Sequence, residues 1–276
     1  MRRLLTTAAI VVLAGCADSS IASTDANAPD LDGPRLVRNG ALDGNTHPQV
    51  GLMIAKDAAG NPMWRCSGTL ISPTVYLTAG HCTSGAATVE LWFTADLEAS
   101  LPTNGYPYTG EVAGTPYTHP EYNDAAFFVM DVGVVVLSAP VNAAAFGTLP
   151  DENSLEVMAR ARGQQNQAFT AVGYGLQQTN PVFTVAQRIR MSASPRLVQI
   201  NSGLTGAHSL LLSNNTATGG TCFGDSGGPN FVGNSLVIGG VTSFGLNGNC
   251  VGTGGVFRLD RKVARDWVLG MMEAAP

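Results

Sequence analysis

From about residue 36 onward, the apolar runs of this chain are short, and each ends in a cluster of Gly, Pro, Asn or Ser. Residues 50–54, 69–77, 89–93, 132–137, 169–172 and 236–241 are examples. Many short runs separated by turn signals predict strands of an all-β sandwich or barrel. The 33 glycines of the 276-residue chain fit that pattern, since glycine supplies the backbone angles that tight turns need. No fixed repeat period is present. The length suits one large domain or two small ones with sizeable cores. One segment differs: across 260–273, Val263, Ala264, Trp267, Val268 and Met271 recur at three- and four-residue spacing, which predicts an amphipathic helix N-capped by Asp260 and packed on the body.

Charge excludes some partners. Charged residues make up 13% of the chain, against roughly 25% in ordinary soluble domains, and the net charge is −5. No run of Lys or Arg offers itself to a nucleic-acid backbone. No stretch after the N-terminus is long and apolar enough to span a membrane.

The N-terminus reads Arg2-Arg3 followed by an apolar run over 4–14, the pattern of a secretory signal. It ends in Leu13-Ala14-Gly15-Cys16, which resembles the lipobox of bacterial lipoproteins. That resemblance implies a lipoprotein-type signal peptide over 1–15, acylation of Cys16, and export to a lipid-anchored place at the bacterial cell envelope. An ordinary signal peptide ending by chance in cysteine is the plainer alternative. Residues 16–35 are small, polar or acidic and read as a tether or propeptide. With Cys16 assigned to lipid, four of the five cysteines remain: Cys66, Cys82, Cys222 and Cys250. An exported protein meets an oxidising compartment, so two disulfides are expected. Four cysteines allow three pairings, and spacing does not choose among them.

The strongest chemical signal is Gly224-Asp225-Ser226-Gly227-Gly228-Pro229. A serine between glycines lets backbone amides approach a substrate carbonyl closely. The segment also fits the G-x-S-x-G elbow of α/β-hydrolases, in which the histidine follows the serine. Here His47, His81, His119 and His208 all precede Ser226, so that triad cannot be assembled. His81 follows an apolar strand and adjoins Cys82, which favours it as the catalytic base. The other three histidines sit in turn-like or Gly/Ser-rich stretches and read as surface loops. Asp131 interrupts an apolar run and puts a carboxylate beside a core, where it needs a partner. Its rival, Asp124, lies in a polar turn.

Thr78-Ala79-Gly80-His81-Cys82, Asp131-Val132-Gly133-Val134-Val135-Val136-Leu137 and the Ser226 segment together resemble the three hallmark motifs of trypsin/chymotrypsin-family serine peptidases, in the family's order. Ser67-Gly68-Thr69-Leu70-Ile71-Ser72, Gly173-Tyr174-Gly175 and Ser243-Phe244-Gly245 add to the match, which spans roughly 36–273. The resemblance implies two six-stranded antiparallel Greek-key β-barrels, about 48–148 and 149–258, with the active site between them and a C-terminal α-helix over 260–273. The whole peptidase domain would run over 36–276.

By the same resemblance His81, Asp131 and Ser226 form the catalytic triad, and the N–H groups of Gly224 and Ser226 form the oxyanion hole. Ser243 supports Asp131. The disulfides are Cys66–Cys82 and Cys222–Cys250. Gly220, Thr221, Phe223, Ser243, Phe244, Gly245 and Gly255 line the substrate site. Gly220, six residues ahead of Ser226, stands at the pocket floor where trypsin-like members carry aspartate. An uncharged, open pocket favours Phe, Tyr, Leu or Met over Arg and Lys at P1, the substrate residue before the cut. Cleavage after Arg35 would free Leu36, whose ammonium pairs with Asp225. A frame beginning at Val37, or an enzyme that works uncleaved, stays open. Proteins or peptides are the expected substrates of a monomeric enzyme, with an activating protease as a further partner. Neither cofactor nor metal is expected. A catalytically dead binding module and an esterase are the rival readings.

Overall fold

A computed structural model of the chain describes residues 39–160, 167–180 and 183–276. The expected signal, lipidated Cys16, tether, Arg35 cut and Leu36 lie outside the described residues.

A two-residue strand, β1 (Ala41–Leu42), leads into six more: β2 (Val50–Lys56), β3 (Pro62–Ser72), β4 (Val75–Thr78), β5 (Thr88–Trp92), β6 (Val112–Thr118) and β7 (Gly133–Leu137). Strands β2 to β7 close into an antiparallel barrel in the order β2-β3-β4-β7-β6-β5. Leu70, Val75, Leu77, Val89, Leu91 and Val134 are fully buried in its core. The runs 50–54, 89–93 and 132–137 fall largely on single strands, whereas 69–77 spans the end of β3, a turn at 73–74 and most of β4.

The C-terminal half supplies β8 (Phe169–Gly173), β9 (Gln178–Asn180), β10 (Phe183–Val185), β11 (Met191–Ala193), β12 (Leu197–Ile200), β13 (Ser209–Asn214), β14 (Pro229–Val232), β15 (Ile238–Gly245) and β16 (Gly252–Arg258). Here the structure departs from a simple six-stranded barrel. Eight strands form one curled sheet in the order β1-β11-β8-β14-β15-β16-β13-β12, and β9 and β10 pair apart from it. The ring is completed by one bent segment. Met191–Ala193 pairs with β8, the Ala168–Arg196 bridge carries the contact onward, and Leu197–Ile200 pairs with β13. One stretch of chain therefore serves two neighbours.

Among the described residues the α-helices are α1 (Gly80–Thr83), α2 (Glu156–Arg160) and α3 (Lys262–Ala274). Helix α3 packs through Ala264, Val268, Trp267 and Met271, whereas Val263 is largely exposed. Asp260 is not its cap: Arg261 is, and the buried Asp260 carboxylate instead accepts from Arg258 (2.8 and 2.9 Å) and from the Leu155 N–H (3.0 Å). A guanidinium fork and a backbone donor satisfy a buried carboxylate better than a single capping bond.

The two halves are tied by Arg190, which is fully buried. Its guanidinium donates to Asp43 Oδ2 (3.2 Å), to the Val50 and Phe93 carbonyls of the barrel (3.0 and 2.9 Å), and to Tyr174 Oη (3.2 Å). Asp43 also accepts from the His47 ring and its N–H. His47 is thus mostly buried and spoken for, not a free surface residue. His119 is only 4% exposed, stacked edge-on against Trp267, with burial pushing its pKa down.

Candidate active site

Strand β4 pairs with β7 so that Thr78 lies opposite Gly133. Three residues past Thr78 is His81, on α1; two before Gly133 is Asp131. That register brings the two together. Asp131 is fully buried. Its Oδ1 accepts the His81 backbone N–H at 2.8 Å, and the His81 ring Nδ1 lies 3.1 and 3.0 Å from Oδ1 and Oδ2. Ser243 Oγ, from β15 in the other half, donates to Oδ2 at 2.5 Å. A buried carboxylate with three donors is stabilised as an anion and fixes the imidazole's orientation. Gly80 lets the chain pass closely here: a Cβ would stand 3.1 Å from both the Tyr122 ring and the Val132 nitrogen, and those neighbours would have to give way.

Ser226 sits on a turn clamped to the barrel by Ser67. The Ser67 N–H donates to Ser226 O (2.8 Å), its Oγ donates to Gly224 O (2.8 Å), and that Oγ accepts the Tyr174 N–H (2.9 Å). Gly224 has φ +95°, a region that glycine enters without strain. The Asp225 N–H donates to Cys222 O and the Gly227 N–H to Thr242 O. Among the described residues, the N–H groups of Gly224 and Ser226 donate to no protein acceptor, so two donors at the serine turn are left unspent. Ser226 and His81 line the same cleft, of about 800 Å³. Ser226 Oγ makes no hydrogen bond to His81 among the described residues; such contacts commonly tighten only when substrate is bound.

Asp225 is fully buried behind this turn. Burial pushes its pKa up to about 6, against the pull of the Cys222 and Gly175 N–H groups (2.8 and 2.7 Å) and the nearby Arg65. Two disulfides frame the cleft, Cys66–Cys82 beside His81 and Cys222–Cys250 on the pocket side. The sulfurs of the first lie near His81, but in a disulfide they offer no thiolate to a metal.

A buried Asp–His pair, a serine on a glycine turn and two free amides are the equipment for acyl transfer. A model of the trypsin family matches residues 41–268. The chain belongs to the trypsin family of serine endopeptidases. Trypsin of Saccharopolyspora erythraea is 30% identical over 187 residues, covering 65% of this chain and 75% of its own. Brachyurin of Leptuca pugilator is 30% identical over 201 residues, covering 68% and 79%. Among solved structures, HL collagenase gives a TM-score of 0.65 at 20% identity, over 86% of this chain and 98% of its own. Human heparin binding protein gives 0.62 at 19%, over 84% and 95%. At these identities the two structures speak for the fold.

Against the trypsin-family pattern, the pocket holds two surprises. Strand register pairs Gly245 with Gly254 and Phe244 with Gly255. A side chain on Gly255 would strike the Phe244 ring, whereas one on Gly254 would face Thr221 Oγ1 at 3.3 Å. Neither Gly254 nor Gly255 is part of the cleft lining. Gly220 does not line the cleft; the space its side chain would take is filled by Asn214, whose Cγ lies 2.3 Å from the ideal Cβ position. Asn214 is buried, its Nδ2 donating to Thr221 O at 2.6 Å and its Oδ1 unpartnered. Thr221, Phe223, Ser243, Phe244 and Gly245 do line the cleft, joined by Trp64, Arg65, Asp124 and Thr242, which no sequence motif marks.

Replacing Ser243 with alanine removes a hydrogen bond to a buried anion, an interaction worth about 1.5–3 kcal/mol. Ser243→Ala should lower kcat/KM about 10- to 100-fold in steady-state peptide hydrolysis, with far-UV circular dichroism unchanged.

Proposed function

We propose that the chain is an exported serine endopeptidase that cleaves peptide bonds through an acyl-enzyme, with an apolar or aromatic residue preferred at P1. The observation that carries this is the buried Asp131 joined to His81 and Ser243, beside a serine flanked by two unspent N–H groups. Ser226 Oγ attacks the scissile carbonyl as His81 takes its proton. The oxygen that becomes negative moves between the Gly224 and Ser226 N–H groups. His81 then protonates the leaving amine, and water attacks the ester by the reverse path. Phe244 and Gly245 pair with β16 on one side, and among the described residues no strand covers their other edge, which leaves it for substrate backbone.

The P1 reading rests on the uncharged stretch of cleft wall made by Thr221, Phe223, Thr242, Phe244 and Gly245, with the exposed Asp124 the one carboxylate in the lining among the described residues. Burying an apolar side chain in such a pocket contributes roughly 1.5–3 kcal/mol, while a guanidinium would enter without a counter-charge. The activation reading rests on Asp225, a buried carboxyl whose cationic neighbour Arg65 lies beyond ion-pair distance. An ammonium freed at Leu36 would stabilise its charged form. We propose cleavage after Arg35, a lipid anchor at Cys16, and therefore release of the monomeric enzyme from its anchor on activation.

Two measurements test these readings. On a panel of peptides differing at P1, Phe, Tyr, Leu and Met should exceed Arg and Lys by at least tenfold in kcat/KM, with Ser226→Ala inactive on all; fastest turnover of Arg peptides overturns the pocket reading. N-terminal sequencing of active, soluble enzyme should begin at Leu36, and active enzyme still carrying acylated Cys16 refutes the coupling of release to activation.

A further inference from the structure

The cleft carries a cation whose role the triad does not explain. Arg65 lies on β3 directly before Cys66, whose disulfide partner Cys82 follows His81. Arg65 and His81 line the same cleft, and His81 is the group that would hand its proton to the departing amine there. Its guanidinium packs over the serine turn, with Nε 3.1 Å and Nη2 3.3 Å from the Cβ position that Gly224 lacks. Nη1 donates to the Ala186 carbonyl at 3.2 Å. Arg188, Arg190, Arg258 and Arg261 each have a carboxylate within 4.0 Å, but among the described residues Arg65 has none.

Its charged surroundings sharpen the point. Asp225 attracts Arg65 from a distance, yet both Asp225 oxygens are occupied by the Gly175 and Cys222 N–H groups. Arg188 repels it, and the Tyr106 side chain hydrogen-bonds it, so its partners within the chain are neutral oxygens. A partly buried guanidinium is charged at any ordinary pH, and its planar fork suits a carboxylate. The cleft lining also includes the exposed Asp124, on the loop between β6 and β7. The lining thus carries charges of both signs.

We propose that Arg65 binds a carboxylate on the leaving-group side of the substrate, within two residues of the cut. This deepens the proteolytic reading above and rests on it. The carboxylate can be an Asp or Glu side chain, or the free α-carboxylate of a short leaving peptide. An apolar P1 residue followed by an acidic one would then define the preferred site, a more selective rule than the pocket alone provides.

The test uses fluorescence-quenched peptides that share one P1 residue and differ only on the leaving-group side. One set carries Glu or Gln in the first two positions with an amidated end; another ends there as a free acid or an amide. A nitrophenyl ester of the same P1 residue, which has no leaving-side residues, serves as reference. The acidic member of one or both pairs should be favoured at least tenfold in kcat/KM at low salt, and which pair responds identifies the carboxylate's source. The preference should shrink as salt rises. In Arg65→Gln the ratio should fall to about one, and in Arg65→Lys to an intermediate value, since lysine keeps the charge but not the fork. A wild-type ratio near one overturns the proposal. So does an Arg65→Gln enzyme that loses activity on every substrate, ester included, with the ratio intact, because Arg65 would then serve only the turn. Ester turnover without cleavage of any peptide overturns the proteolytic reading itself.

Discussion

A fully buried carboxylate sets the terms for this protein. Asp131 is stable as an anion only where donors surround it, because an uncompensated charge in a protein interior costs several kcal/mol. Two donors come from His81, its N–H and its ring, and one from Ser243. Since Ser243 belongs to the C-terminal sheet and His81 to the N-terminal barrel, satisfying one charge requires both halves to be in place. The same bonds leave the imidazole one orientation, with its far nitrogen turned to the cleft. Stability of the fold and alignment of the base are thus a single demand.

Other polar ties across the halves serve the same geometry. Ser67, on the barrel, holds the backbone carbonyls of Gly224 and Ser226 and so fixes where the serine turn lies. Arg190 gathers Asp43, two barrel carbonyls and the Tyr174 hydroxyl into one buried knot, beside the strand that enters from the N-terminus. Each is a buried polar group with its partners supplied, the condition under which such groups rigidify a structure rather than weaken it. Because the Asp225 N–H is spent on Cys222 O and the Gly227 N–H on Thr242 O of β15, the two amides left over are the ones we propose for the substrate oxygen.

Much of this was legible in the chain. Strands could be read because their apolar runs end in turn residues, and the meeting of His81 with Asp131 beside Ser226 because each sits in a short motif with a physical reason for its neighbours. The closure of the second sheet was not legible. Nothing in 191–200 announces that one segment will bend between two partners. Buried cations were equally hidden: Arg190 and Arg258 resemble any surface arginine until Asp43 and Asp260 are brought to them by folding. The surroundings of Gly220 were hidden for a similar reason, because the side chain that fills its space, Asn214, arrives from β13. His119 looked like a loop residue because its burial depends on Trp267, far along the chain.

The account stands on Ser226 being a serine made nucleophilic by His81 and Asp131. Intact-mass measurement after exposure of the soluble enzyme to a fluorophosphonate tests this directly, since the reagent phosphonylates an activated serine hydroxyl and releases fluoride. One phosphonyl group per chain, mapped by fragmentation to Ser226 and lost in His81→Ala, is the predicted result. No adduct on folded enzyme, or an adduct on another residue that persists in Ser226→Ala, would contradict it.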